Sequence, residues 1–169
     1  KQDNKIIDSF IATENDFLII LTSIGRIFKF SLSNKYITPT SKQAQGTIFS
    51  KLLPSETIIC TCKCEQKQSL VLATKRGVFM RMNAWEIYDA HESKLGYLDE
   101  RLKIKNDSLI KIFPQNKYCE IETNRERSAR INFEKLSVAS KRDIFDTQFF
   151  NLEKDEYINN ISYSENFLN

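Results

Sequence analysis

Residues 70–82 read LVLATKRGVFMRM: an apolar run, a basic turn holding Gly77, and a second apolar run. The same form stands upstream as LIILTSIGRIFKF, residues 18–30. Placing Gly25 over Gly77 aligns TSIGRIFKF with TKRGVFMRM without a gap, 52 residues apart. A weaker third copy, TNRERSARI at 123–131, carries Glu126 in the glycine position, 49 residues further on. Runs able to open each unit also line up: KIIDSF (5–10), TIICTC (57–62), SLIKIF (108–113) and YINNIS (157–162). Between these anchors QAQGTIFSKLLP (43–54) and SKLGYLDERL (93–102) form a second recurring element, with a third counterpart near SVASKRDIFDTQFF (137–150).

A period of about 50 residues, repeated about three times, marks a propeller or stacked array. β-Branched and aromatic residues fill the expected strands, and Gly, Asn, Asp and Ser fill the turns. The fold class expected is all-β, with propeller-like blade units over about 4–54, 55–105 and 106–154 and a trailing strand over 155–169. One unit cannot cover both faces of its sheet, so its neighbours must. NAWEIYDAHESKL (83–95) is expected to be an irregular connector with at most one helical turn.

Composition agrees with a globular domain: 169 residues, 41% hydrophobic and 28% charged, with 12 Phe and 6 Tyr against 4 Gly and 3 Pro. The first residue is Lys1, which suggests a piece of a longer protein. Net charge is +3, from 25 Lys+Arg against 22 Asp+Glu, which permits a nucleic-acid partner without requiring one. No signal-peptide pattern and no apolar run of membrane-spanning length occurs, so a reducing cytoplasm is the expectation.

Strand alternation assigns faces. Counting from the turn glycine, the third and fifth positions are Phe28 and Phe30, Met80 and Met82, Ala129 and Ile131, which should face the core. The fourth position is Lys29, Arg81 and Arg130, basic in all three copies and expected to point outward. Exposed cations ordinarily solubilise a strand or block edge pairing; their return once per unit is what suggests more.

The pattern T-x-x-G-R-[IV]-[FY]-[KR]-[FL], followed by S-[KR]-Q-A-x-G-T-x-x-x-x-L-L-P, resembles the C-terminal domain of bacterial DNA gyrase A and its topoisomerase IV relative. It is carried here by TSIGRIFKF (22–30), SKQAQGTIFSKLLP (41–54) and LATKRGVFMRM (72–82). The resemblance implies a β-pinwheel, a disc whose blades exchange strands, of which three units make half a domain. It also implies a non-catalytic module that binds and bends double-stranded DNA around a basic rim, with little sequence preference. By matching position the phosphate contacts would be Lys29, Arg81 and Arg130, the turn cations Lys75, Arg76 and Arg125, and the loop cations Lys42, Lys94, Lys141 and Arg142. The resemblance further implies a parent ATP- and Mg²⁺-dependent type II topoisomerase with its A and B subunits and no cofactor in this piece, which is either one part of the ring or a half that a second copy completes as a homodimer. SKQAQGT (41–47) departs from the gyrase wrapping loop, which is richer in glycine and arginine, so this piece is expected either to consist of later blades or to belong to a form with weaker wrapping.

Chemistry of other kinds finds few residues. CTCKC (60–64) puts Cys60, Cys62 and Cys64 on one side of a strand, and with only Cys119 and His91 to add, buried reduced thiols are expected rather than a metal site. One histidine leaves no Ser-His-Asp or His-rich metal constellation, and no phosphate-cradling glycine loop occurs. Asp99–Glu100 and Asp155–Glu156 are expected to be solvated turns. The alternative function is a propeller scaffold that binds proteins and has no DNA affinity.

Overall fold

A computed structural model describes residues 5–38, 40–41, 43, 46–93, 106–116, 118–134, 136 and 150–163. Among the described residues nine strands form three antiparallel three-stranded sheets: β1 (Phe17–Thr22), β2 (Ile27–Ser31) and β3 (Ile58–Cys64); β4 (Ser69–Thr74), β5 (Phe79–Asn83) and β6 (Leu109–Pro114); β7 (Tyr118–Thr123), β8 (Ser128–Asn132) and β9 (Ile158–Ser162). We call these sheets blades 1, 2 and 3. Strand order is the same in each, β2-β1-β3, β5-β4-β6 and β8-β7-β9. Each blade is thus a hairpin plus the opening strand of the next sequence unit, and the units are laced together.

The strand expected over 5–10 makes no ladder with the described residues. Its counterparts β3, β6 and β9 each pair with the hairpin of the preceding unit. Thr61 Oγ1 instead donates to Asp8 at 3.0 Å and Lys63 Nζ to the Ile11 carbonyl at 2.9 Å, which holds the segment beside β3. The connector after β5 holds a short 3-10 turn, Ala84–Glu86, and a four-residue helix α1, Ala90–Ser93, one turn more than expected.

Blade stacking explains the unbroken apolar runs FLIIL (17–21) and LVLA (70–73). The two faces of a blade enter different cores, so a central strand cannot alternate. Ile19, Leu21 and Ile27 pack with Leu70, Leu72, Met80 and Met82 between blades 1 and 2. Val71, Ala73 and Phe79 pack with Cys119, Ile121 and Ile131 between blades 2 and 3. Ile20, Phe28 and Phe30 form a third cluster with Ala90, flanked by Phe49. Of the six positions assigned to the core, Phe28, Phe30, Met80, Met82 and Ile131 are buried, and Ala129 is half-buried at the edge of the blade 2–3 core.

A register shift falls at the same point of every central strand, at Leu21/Thr22, Ala73/Thr74 and Glu122/Thr123. Bulges re-aim a side chain. Here the threonine hydroxyls turn into the hairpin, accepting from Arg26 N at 3.2 Å, Val78 N at 3.0 Å and Arg127 N at 3.3 Å.

Candidate nucleic-acid interface

The β1-β2, β4-β5 and β7-β8 turns have one geometry. Gly25, Gly77 and Glu126 sit at φ of 79°, 82° and 59°, and their amides donate to Thr22, Thr74 and Thr123 carbonyls. Left-handed backbone is natural for glycine and strained for glutamate. The turns rest against the following unit: the Leu152 and Ile158 side chains lie within 3.8 Å of a Cβ built on Gly77, and Ile158 N donates to the Lys75 carbonyl at 2.9 Å. The blade 2 turn is thereby seated on the start of the third strand of the blade after it.

This turn edge presents the turn cations to solvent. Lys75 and Arg76 are exposed at the blade 2 turn and Arg125 at the blade 3 turn. Lys75 Nζ lies 4.3 Å from the Tyr157 ring centroid, and Arg76 N donates to Asp107 at 3.1 Å. Beside the blade 2 turn runs an open groove of about 550 Å³ that Lys75, Arg76, Ser108 and Tyr157 line together with Asp107 and Asp155. Arg125 pairs with Glu153 and donates to the Lys154 carbonyl at 2.7 Å. An exposed pair of this kind is worth about 0–1 kcal/mol, so a phosphate can displace the carboxylate cheaply.

The fourth-position cations behave otherwise. Lys29 is not outward: it is 3% exposed, and its Nζ donates to the Ala84 carbonyl at 3.0 Å. Burial lowers its pKa, while Cys64 and Asp89 nearby push it back up. Arg81 is half-buried and donates to the Leu136 carbonyl at 3.2 Å and Ser69 Oγ at 3.3 Å. Both cations reach a carbonyl 55 residues ahead, in the next unit. The reason is that both faces of an interior blade are covered, so "away from this core" means "toward the next blade" and not "toward water". Arg130 alone of the three is exposed, and it pairs with Glu120 across its own sheet at 2.7 Å. Lys42, Lys94, Lys141 and Arg142 lie outside the described residues.

Sequence reading missed the ion pairs that anchor the turns. Arg26, just after the turn glycine, is bidentate to the buried carboxylate of Glu56, through Nε at 2.8 Å and through the second guanidinium nitrogen. Glu56 Oε2 also accepts from Leu53 N at 2.8 Å. Hydrogen bonding from Arg26, which outweighs the cost of burial, holds this carboxyl at a pKa of about 2. Blade 3 repeats the device: Arg127 Nε lies 3.2 Å from Glu156, which also accepts from Thr123 Oγ1 at 2.8 Å. Glu156 is therefore not a solvated turn residue but 2% exposed, its pKa lowered by the Glu153 amide, the Thr123 hydroxyl and the neighbouring arginines. Asp155 beside it is exposed, and Asp99–Glu100 lies outside the described residues. In blade 2 both partners change together, Val78 standing for the arginine and Asp107 for the glutamate. That joint change between repeats was the available signal.

The cysteines divide between two cores: Cys60, Cys62 and Cys64 lie between blades 1 and 2, and Cys119 between blades 2 and 3. Burial raises the thiol of Cys60 to about 11 and those of Cys64 and Cys119 to about 12, so they are neutral at physiological pH. His91 stacks on Tyr36 at 4.0 Å and its Nε2 lies 3.1 Å from the Ser31 carbonyl, a packing role.

No protein-family model matches the chain, and no curated protein matches it. Solved structures do. The DNA gyrase A C-terminal domain aligns over 76% of this chain and 41% of its own, with a TM-score of 0.60 at 19% identity. The C-terminal domain of DNA topoisomerase IV aligns over 97% and 52%, at 0.68 and 15%. The E. coli ParC C-terminal domain aligns over 90% and 58%, at 0.65 and 12%. The chain spans about half the length of these domains. With its three laced antiparallel blades, it has the all-β pinwheel fold of the C-terminal domains of gyrase A and topoisomerase IV.

Proposed function

We propose that the chain is a non-catalytic module that binds double-stranded DNA along its turn edge and bends it, as part of the gyrase A-like component of a type II topoisomerase. The observation that carries this is the exposure of Lys75, Arg76 and Arg125 on consecutive turns of one edge, in a fold shared with the gyrase A and topoisomerase IV C-terminal domains. Cations presented at blade spacing follow a phosphate backbone without reading bases. No long helix is available among the described residues to enter a major groove. Bending a site of 20–30 base pairs by 40–90° costs about 1–6 kcal/mol, which several phosphate contacts must offset. Lys29 leaves the contact set, and Arg81 is committed to holding blade 3. In the parent enzyme ATP and Mg²⁺ would act outside this chain, and its partners in the cytoplasm would be the enzyme's A and B subunits.

Fluorescence anisotropy with unrelated duplexes tests the reading. Binding should be similar across sequences and fall steeply between about 50 and 200 mM salt, with a log–log slope of about −0.9 per neutralised phosphate. The triple reversal K75E/R76E/R125E should flatten that slope. Binding that is absent at low salt would favour the protein-binding scaffold, a reading that the exposed Ile6, Ile11, Ile48 and Leu53 support.

A further inference from the structure

The face that blade 1 turns to blade 2 is built on Ile19, Leu21 and Ile27, and the face that blade 2 turns to blade 3 on Val71, Ala73 and Phe79. In register, the corresponding face of blade 3 carries Glu120, Glu122 and Ser128, all exposed. On β9 the same face holds Asn160 and Ser162, paired with Glu122 and Glu120, where β6 has Phe113 opposite Val71. The inter-blade clasp changes too. Lys29 and Arg81 reach carbonyls of the following unit, whereas Arg130 turns back to Glu120 within its own sheet. The apolar triad of blades 1 and 2 is thus replaced in blade 3 by two carboxylates and a serine, and by two polar side chains on the strand beside them.

We infer that blade 3 is the capping unit of the stack: neither a further blade nor a second copy of the chain seats on its outer face, and the arc of blades is open there. A blade placed on that face as blade 3 is placed on blade 2 would bury the carboxylates of Glu120 and Glu122 with a single guanidinium between them. Buried charge without full pairing is strongly unfavourable. Terminal units of repeat arrays carry a polar outer face for this reason. Any closure of a ring by two copies must therefore use the blade 1 end or the turn edge, and the inference stands whether or not the chain binds DNA.

Carbodiimide-driven amidation of the full chain, read by peptide mass spectrometry across rising protein concentration, tests this directly. Glu120 and Glu122 should react at the rate of the exposed Glu65 at every concentration, while the buried Glu56 is protected. Protection of Glu120 and Glu122 that grows with concentration, or that is present throughout, overturns the inference. A second arm restores the blade 2 face by E120V/E122A/S128F. Sedimentation should then show self-association beyond that of the parent chain, and a folded triple variant that sediments like the parent also overturns it. Should that variant not fold, the amidation of the unsubstituted chain decides alone.

Discussion

Replacing Arg26 with valine, the residue blade 2 carries at that position, removes both guanidinium hydrogen bonds from a carboxylate with no solvent access. Glu56 is left with the Leu53 amide at 2.8 Å and the Thr22 hydroxyl, and the guanidinium that lay 4.7 Å from the Phe28 ring is lost. Breaking a buried pair by removing one partner costs about 3–5 kcal/mol. The pH dependence should also weaken. With Arg26 present, Glu56 titrates near 2, below its unfolded value of 4.5, so the pair stabilises the fold above about 4.5 and that contribution is lost as the pH falls toward 2. In R26V the carboxyl loses its main hydrogen-bond donor while the cost of burial stays, so its pKa should rise from about 2 toward the unfolded value and the stability lost on acidification should shrink. A shorter acid should relieve the same defect. In blade 2 Asp107 turns into its own loop, accepting from Ser108 N at 2.7 Å and Arg76 N at 3.1 Å, so R26V/E56D should recover about 1–3 kcal/mol of the single-variant loss. Urea titrations at pH 7 and pH 5, with m-values compared to confirm an unchanged transition, measure all of this. An R26V cost below about 1 kcal/mol that does not vary with pH, or strict additivity in the double variant, would refute the reasoning.

Glu126 occupies a backbone site at φ 59° where the other turns use glycine, so E126G should stabilise the chain by about 1 kcal/mol, read as a rise in urea midpoint, and also strengthen DNA binding by removing a rim carboxylate. The reverse change, G77A at φ 82°, should cost about 1–2 kcal/mol; the neighbours that a Cβ would meet stand at 3.5 Å or more, so the penalty is conformational rather than steric. K29M should leave the salt slope of DNA binding unchanged, because the ammonium is buried. Since burial lowers the Lys29 pKa, the unfolded chain binds the extra proton, so the parent gains stability as the pH rises toward 10.5; urea titrations across that range should show the gain missing from K29M.

The repeat, the hairpins and the core positions of β2, β5 and β8 were legible because turn chemistry and strand alternation are local properties. The direction of the fourth-position cation was not. In an isolated sheet the residue opposite the core meets water, but in a stack it meets the next blade, and only the pairing of Lys29 with Ala84 and of Arg81 with Leu136 reveals this. One clue lay in the central strands. FLIILT and SLVLAT do not alternate, which suits burial on both faces, whereas YCEIET does. The polar end of the stack was thus written in β7. The burial of Glu156 could not be read locally, because it depends on Thr123 and Arg127 from a strand and turn some 30 residues away in sequence.

Because β3 pairs with β1 and β6 with β4, every sheet is sewn from two sequence units. Cleaving the backbone in a connector between units would therefore separate no blade: the amino-terminal piece would keep its grip on a strand belonging to the other, as two halves of a woven band hold after one thread is cut. Limited proteolysis would then leave a nicked particle that migrates as one until denaturant parts it. Trimming the chain at the borders of its sequence repeats, by contrast, would strip a strand from a finished sheet.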